Sequence, residues 1–309
     1  MEFFVKVPAT SANLGPGFDA LGLALDLWNE SVFETDSVTD EQTNQRIAIS
    51  IDIDGEGAGK LPENKNNLIL HTAHRLAEQT GKSLPSFRLR CINRIPLGSG
   101  LGSSAAAILT GLLGANALLG NPLSRDEILN LAAEMEGHPD NVSAALMGGL
   151  VVSTIVNEKI ITHKIDVGPM AITVITPDLH FPTQQARAAL PKQVSMKDAV
   201  YNISRAVLAA KAFECGDLEL LGRVMEDKLH QPYRLPLIPG AQTVMNAAKR
   251  AGAAAVALSG AGPSLIAFSA KQDAGIGKAM KLVFESFGLS ARVFELGVSE
   301  EGARVESGK

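Results

Sequence analysis

The residues with the clearest chemical potential form one run, Pro96-Leu97-Gly98-Ser99-Gly100-Leu101-Gly102-Ser103-Ser104-Ala105-Ala106. Glycines ahead of a helix let backbone N–H groups approach a phosphate with no Cβ in the way. The free N–H groups of the following first turn, and its dipole, then favour the anion. The familiar nucleotide loop G-x-x-x-x-G-K-[ST] adds a lysine, and this run has none. Backbone dipole plus a metal ion could replace it, with the Ser103 and Ser104 hydroxyls donating to a phosphate oxygen or ligating Mg²⁺. On this reading a side chain at Gly100 would fall where the anion sits, blocking the phosphate ligand while sparing the fold. Two other readings exist. Gly100-x-Gly102-x-x-Ala105 matches the dinucleotide fingerprint, but Pro96 interrupts the approach and the acidic Asp126 and Glu127 fall at a helix start. A tight turn with small residues for helix packing is the third.

Other residues could serve a small zwitterion. Asn13 and Asp19 put an amide and a carboxylate on one compact loop, Thr10–Asp19, rich in turn formers. An amino alcohol needs an acceptor for its ammonium or hydroxyl and an amide to orient it; the same residues could simply make a turn. Arg187 and Arg234 carry guanidinium forks that suit a carboxylate. Only the fold can bring them together, and each alone could be a solvated charge. Thr183, four residues before Arg187, is either a ligand contact or a helix N-cap.

Four segments occur in order: Lys6–Gly22, Pro96–Ala106, Glu136–Asn141 (EGHPDN) and Leu258–Leu265 (LSGAGPSL). Together they resemble the GHMP small-molecule kinases. The opening PATSANLGPGFD and the EGHPDN block are similar to the branch that phosphorylates homoserine. The resemblance runs from Lys6 to Phe294. It implies an α+β, two-domain GHMP kinase fold. An N-terminal domain like ribosomal protein S5 domain 2 spans residues 1–160, and a ferredoxin-like C-terminal domain spans 161–309. It also implies ATP and Mg²⁺ as cofactors and γ-phosphoryl transfer to the side-chain hydroxyl of L-homoserine, giving O-phosphohomoserine for threonine synthesis. ATP would lie on Pro96–Ala106. L-Homoserine would lie against Asn13, Asp19, His138, Thr183, Arg187, Arg234, Gly260 and Gly262. Mg²⁺ would be held by Ser103, Ser104 and either Glu134 or Glu136. Related branches place an aspartate near Asp140 as a general base, but the register could put Asn141 there. No base is assigned, since a loose phosphoryl-transfer transition state can be served by positioning alone. Two rival functions stay in view: a GHMP kinase for mevalonate or a sugar, and a non-catalytic ligand-binding regulator of the same fold.

The elements that must position these residues are read from periodicity. Phe3–Val7 is a strand that Pro8 should stop, followed by a second strand region from Ala20. Ile47, Ile49, Ile51 and Ile53 alternate on one face of a third. Asn66–Thr80 has helical spacing and stops at Gly81. Phe87, Leu89 and Cys91 alternate with Arg88 and Arg90. The run Ala105–Leu119 reads as a buried helix, too short for a bilayer. Ser124 with Glu127 forms a capping box for the next helix. Composition shifts around Asn157–Lys164. Beyond it the order is strand, helices, strand–glycine turn–strand, helix, and a last strand from Ala291.

With 309 residues, 46% hydrophobic and 20% charged, the chain can bury a sizeable core. A net charge of −5 gives no basic footprint for nucleic acid. The two cysteines, Cys91 and Cys215, lie outside any C-x-x-C pair and read as reduced thiols. No basic segment precedes a long apolar stretch at the N-terminus. A cytoplasmic chain with no membrane partner is expected, and its assembly state, a homodimer included, stays open.

Overall fold

The computed structural model describes residues 2–35 and 49–308. The chain opens with β1 (Glu2–Ala12) and β2 (Leu21–Glu34), paired antiparallel. Pro8 does not stop the first strand. It lies inside β1 where the pairing with β2 shifts between Pro8 and Ala9, and such an irregularity tolerates a residue with no N–H to donate. Of the alternating isoleucines, Ile51 and Ile53 turn inward from β3 (Ile49–Gly55), while Ile47 lies outside the described residues.

Helix α1 (Leu68–Thr80) crosses over to β4 (Phe87–Asn93), which runs parallel to β3. The Asn67 side chain accepts from the Ile69 N–H at its start, and Gly81 closes it in the left-handed conformation. Helices α2 (Ser103–Leu118), α3 (Arg125–Glu136) and α4 (Pro139–Met147) complete the helical layer of this first half. The apolar run is buried as expected, with Ala105, Leu109 and Leu112 wholly inaccessible. Both bonds of the Ser124–Glu127 capping box form at the start of α3. Strand β2 carries Gly22 against α4. A Cβ there would run into the Asp140 carbonyl, so glycine lets the start of α4 sit on the sheet.

Strands β5 (Leu150–Val156) and β6 (Lys159–Ile165) form a hairpin that joins the same sheet through β2. Residue 160 therefore falls inside β6, and the chain leaves the first sheet only after Ile165. It continues as β7 (Ala171–Pro177), α5 (Thr183–Ala188), α6 (Met196–Cys215), α7 (Leu218–Val224), α8 (Gln231–Arg234) and α9 (Ala241–Arg250). Then come β8 (Ala255–Leu258), β9 (Leu265–Ser269), α10 (Ala274–Ser286) and β10 (Ala291–Leu296). The second sheet is antiparallel in the order β10-β7-β9-β8, a β-α-β-β-α-β arrangement. The strand at Ala291 is not the last: β11 (Arg304–Ser307) returns to pair with β1 in the first sheet. Among the described residues no helix is long and apolar enough to cross a membrane.

Candidate active site

The glycine loop and both arginines meet in one cleft of about 180 Å³, at the seam between the two sheets. Its floor is Gly98, Ser99, Gly100, Gly102, Ser103 and Ser104. Gly102 is the N-cap of α2, in the left-handed conformation at φ 71°, and no side chain caps the helix. The first-turn N–H groups are thus left for a ligand. Leu101, Ala105 and Ala106 are fully buried in the core, and Pro96 and Leu97 line neighbouring hollows. Gly100, at φ 83°, does not keep a place for the anion. A Cβ on it would run into the Ser259 carbonyl. Its hydrogen is the contact between the loop and the Ser259–Gly262 turn, which also receives the Ser259 hydroxyl on the Gly100 carbonyl at 2.8 Å. Gly260 and Ala261 of that turn line the cleft; Gly262 sits behind them.

The Asn13–Asp19 loop holds three non-glycine residues at positive φ, Asn13, Leu14 and Asp19, a concentration of unfavourable backbone typical of functional loops. The Asn13 amide stabilises it: its Oδ1 accepts from the Asp19 N–H at 3.0 Å and its Nδ2 donates to the Gly260 carbonyl at 2.8 Å. Asn13 lines the cleft, but its amide is spent on the loop and the opposite turn. Asp19 is gripped bidentately by Arg187, at 3.0 and 3.2 Å. Thr183 also lines the cleft and is the first residue of α5; the N-cap is Pro182.

Arg234 is 1% exposed yet reaches the cleft. Its guanidinium donates to the Ala186 and Gly260 carbonyls at 3.3 and 3.4 Å, and it lies over the Phe18 ring. It forms no ion pair with a carboxylate among the described residues. Burial and the charge of Arg187 push its pKa down, against the pull of Asp19 and Asp140. A buried cation with long, weak bonds and no counter-ion suits an anionic ligand.

The two glutamates separate. Glu134 points away from the cleft and pairs with Arg75 at 3.3 Å on the surface. Glu136 lines the cleft and accepts from the Ser104 hydroxyl at 2.8 Å. Burial, with the charge of Asp140, raises its pKa against the pull of Ser104, His138 and Arg187. His138 Nδ1 lies 2.7 Å from Asp140 Oδ1. Burial alone would lower the histidine, but the hydrogen bond and charge of Asp140, with Glu136, carry its pKa up. The same Oδ1 accepts from the Asn141 N–H at 2.8 Å, whereas Asp140 Oδ2 is buried in this cleft wall with no partner among the described residues. Asn141 Oδ1 is occupied by the Thr10 hydroxyl at 2.7 Å.

A second hollow of about 310 Å³ opens on the other side of Gly98, Ser103 and Ser104. Ile53, Leu61, Leu68, Ile69 and Cys91 make it largely apolar, with Asn66 and Asn67 at its edge. These residues were not among the expected site. Their apolar types fit core strands and a helix equally well, so only the fold distinguishes a lining from a core. Burial pushes the Cys91 thiol up to about 11, keeping it neutral there.

Similarity to known proteins covers both halves of the chain. The family description "GHMP kinases N terminal domain" matches residues 67–149 and "GHMP kinases C terminal" matches residues 209–282. A homoserine kinase of Moorella thermoacetica is 44% identical over 97% of this chain and 99% of its own length. One from Carboxydothermus hydrogenoformans is 43% identical over 97% and 95%. The crystal structure of homoserine kinase from Cytophaga hutchinsonii superposes with a TM-score of 0.85 at 32% identity, covering 98% of this chain and 97% of that one.

Proposed function

The chain belongs to the GHMP kinase family, and on that premise we propose that it is a homoserine kinase, transferring the γ-phosphoryl group of ATP to the side-chain hydroxyl of L-homoserine. One observation carries the substrate assignment. A carboxylate, Asp19, and two guanidinium groups, Arg187 and Arg234, converge on a cleft whose floor is the uncapped start of α2. That is the charge pattern of an amino acid facing a phosphate site.

ATP lies with its phosphates on the Gly98–Ser104 backbone and its base in the adjoining apolar hollow. L-Homoserine enters as a zwitterion. Its ammonium takes Asp19 and its carboxylate takes Arg187 and Arg234, so each member of the Asp19–Arg187 pair gains a substrate charge of opposite sign and none is stranded. The substrate hydroxyl donates to Asp140 Oδ2, while His138 and the Asn141 N–H hold the other oxygen. This aims the hydroxyl at the phosphate; positioning and charge supply most of the catalysis in phosphoryl transfer.

Glu136 and Ser104 fit Mg²⁺. They are paired hard oxygen donors beside the loop, and burial makes the carboxylate receptive to a cation. Few protein carboxylates are needed, because Mg²⁺ in such sites takes most ligands from phosphates and water. Bound there, the ion would neutralise charge on the phosphate oxygens. The reading extends to a cytoplasmic enzyme of threonine biosynthesis; the two unpaired cysteines suit a reducing compartment.

The test is ADP release measured with L-homoserine, mevalonate and galactose in parallel. Turnover with homoserine alone is expected. A preference for either other substrate, or silence with all three, refutes the assignment.

A further inference from the structure

Behind Arg234 lies a buried histidine with no part in the chemistry above. His230 is fully inaccessible. Its Nε2 sits 2.7 Å from the Gly15 carbonyl. A carbonyl can only accept, so Nε2 carries the proton and, in the neutral ring, Nδ1 is left as an acceptor. That acceptor faces Arg234 Nη1 at 3.4 Å. The ring also stacks on Phe18 at 5.3 Å, the same ring over which the Arg234 guanidinium lies. One imidazole therefore touches two parts of the cleft wall: the strained Asn13–Asp19 loop and the arginine.

His230 is held in turn. Asp227 is buried and accepts from the backbone N–H groups of Leu229, His230 and Gln231 at 2.7, 2.8 and 2.6 Å. It is the anchor of the turn that presents the ring. Its carboxylate is thus committed to backbone, although it comes within 3.6 Å of His230 Nε2. Burial keeps the ring neutral, with Asp227 pulling the other way and Arg234 assisting. A protonated ring would aim a second donor at the guanidinium and remove its acceptor.

We infer that His230 is a positioning residue for substrate recognition: through Nδ1 it orients Arg234 toward the substrate carboxylate, while the Nε2 bond to Gly15 fixes which ring nitrogen is left to accept. The inference rests on the function proposed above for the identity of the substrate, but the geometry of Arg234 can be tested without it.

Two substitutions separate the two bonds. A glutamine amide nitrogen comes near the position of ring Nε2, so His230→Gln keeps the donor to Gly15 and loses the acceptor for Arg234. An asparagine oxygen comes near Nδ1, so His230→Asn keeps the acceptor and gives up Gly15. Both leave some space, so both are expected to melt lower than the wild type. Only His230→Gln should raise the homoserine KM, by roughly two- to threefold, the worth of one long hydrogen bond at about 0.5 kcal/mol. Its kcat and its KM for ATP should stay close to wild type. Equal KM values for homoserine in the two variants, or parallel rises for homoserine and ATP, overturn the inference and leave a purely structural histidine.

A second readout needs no substrate. In ¹⁵N-arginine-labelled protein the Nε–H resonance of Arg234, assigned by its loss in Arg234→Lys, should be sharp in the wild type and His230→Asn and broadened in His230→Gln. The same line width in all three proteins refutes the positioning role. A wild type that turns over no homoserine refutes the proposed function instead, and the resonance then decides the positioning role by itself.

Discussion

Replacing Arg234 with methionine should move substrate affinity and stability in different ways. The side chain is 1% exposed; it donates to carbonyls at 3.3 and 3.4 Å, faces an imidazole nitrogen at 3.4 Å and lies over the Phe18 ring. Such long bonds are at the weak end, about 0.5 kcal/mol each, and their loss is offset by no longer burying an unpaired cation. Methionine fills most of the volume. The free protein should therefore change by no more than about 1 kcal/mol, or ~2–4 °C in Tm. The bound state is different, because a buried carboxylate that loses its partner costs ~3–5 kcal/mol. At ~1.4 kcal/mol per tenfold, the homoserine KM should rise roughly a hundredfold or more, with the KM for ATP nearly unchanged. The assay compares catalytic efficiency for homoserine and for its carboxamide in both proteins. The wild type should prefer the acid strongly and Arg234→Met should prefer it much less. An unaltered acid-to-amide ratio would show that Arg234 does not read the carboxylate, and a collapse in Tm would show that its role is structural.

The other expectations follow from neighbouring geometry. Glu136→Gln should abolish most turnover, with partial rescue by high Mg²⁺, while Glu134→Gln is silent, since its exposed pair with Arg75 contributes little; two silent variants would remove the metal assignment. Because the Glu136 pKa is raised in the fold, the native state holds its proton more tightly and loses stability as pH climbs above the unfolded value of about 4.3, so metal-free Glu136→Gln should melt above the wild type at neutral pH. For His138, also raised, the stabilising partnership with Asp140 is complete below about pH 6.5 and is lost as pH rises through the higher folded value. The Tm gap between wild type and His138→Gln should narrow toward alkaline pH, and a constant gap would contradict it. Gly100→Val should cost ~2 kcal/mol or more, because valine is strained at positive φ and its Cβ meets the Ser259 carbonyl; a variant that keeps its Tm and loses only ATP binding would restore the anion-space explanation.

Legibility in the sequence tracked the distance over which each feature is decided. The capping box at Ser124, the left-handed stop at Gly81 and the alternation of β4 depend on residues within a turn or a strand, and each formed as expected. Pro8 misled because a proline's tolerance depends on which strand lies beside it, and β2 supplies an irregularity at that point. The return of β11 to β1 could not be seen for the same reason: four residues near the C-terminus show no periodicity that names their partner. In the site, residue types were readable and pairings were not. The Asp19–Arg187 pair spans 168 positions, and the His230–Gly15 bond 215. His230 carried no signal by composition or spacing, since a lone histidine near a proline reads as ordinary loop chemistry.

The missing lysine of the glycine loop finds its answer in how charge is divided between the two halves of the chain. Under the proposed function, the phosphates face what the first half offers here: an uncapped helix start, one glutamate and one serine hydroxyl. None of these is a side-chain cation. The arginines that line this cleft, Arg187 and Arg234, come from the second half. A lysine in the loop would have put a permanent cation beside two others and drawn Asp19 or Asp140 away from the substrate. With the loop uncharged, the proposed function leaves the cations to the amino acid and the phosphates to dipoles and a divalent ion. That division requires the seam between the halves to be held closely, and the close approach of Gly100 to the Ser259–Gly262 turn, the Asn13 amide on Gly260 and the Ser259 hydroxyl on Gly100 do so within a few residues of the site.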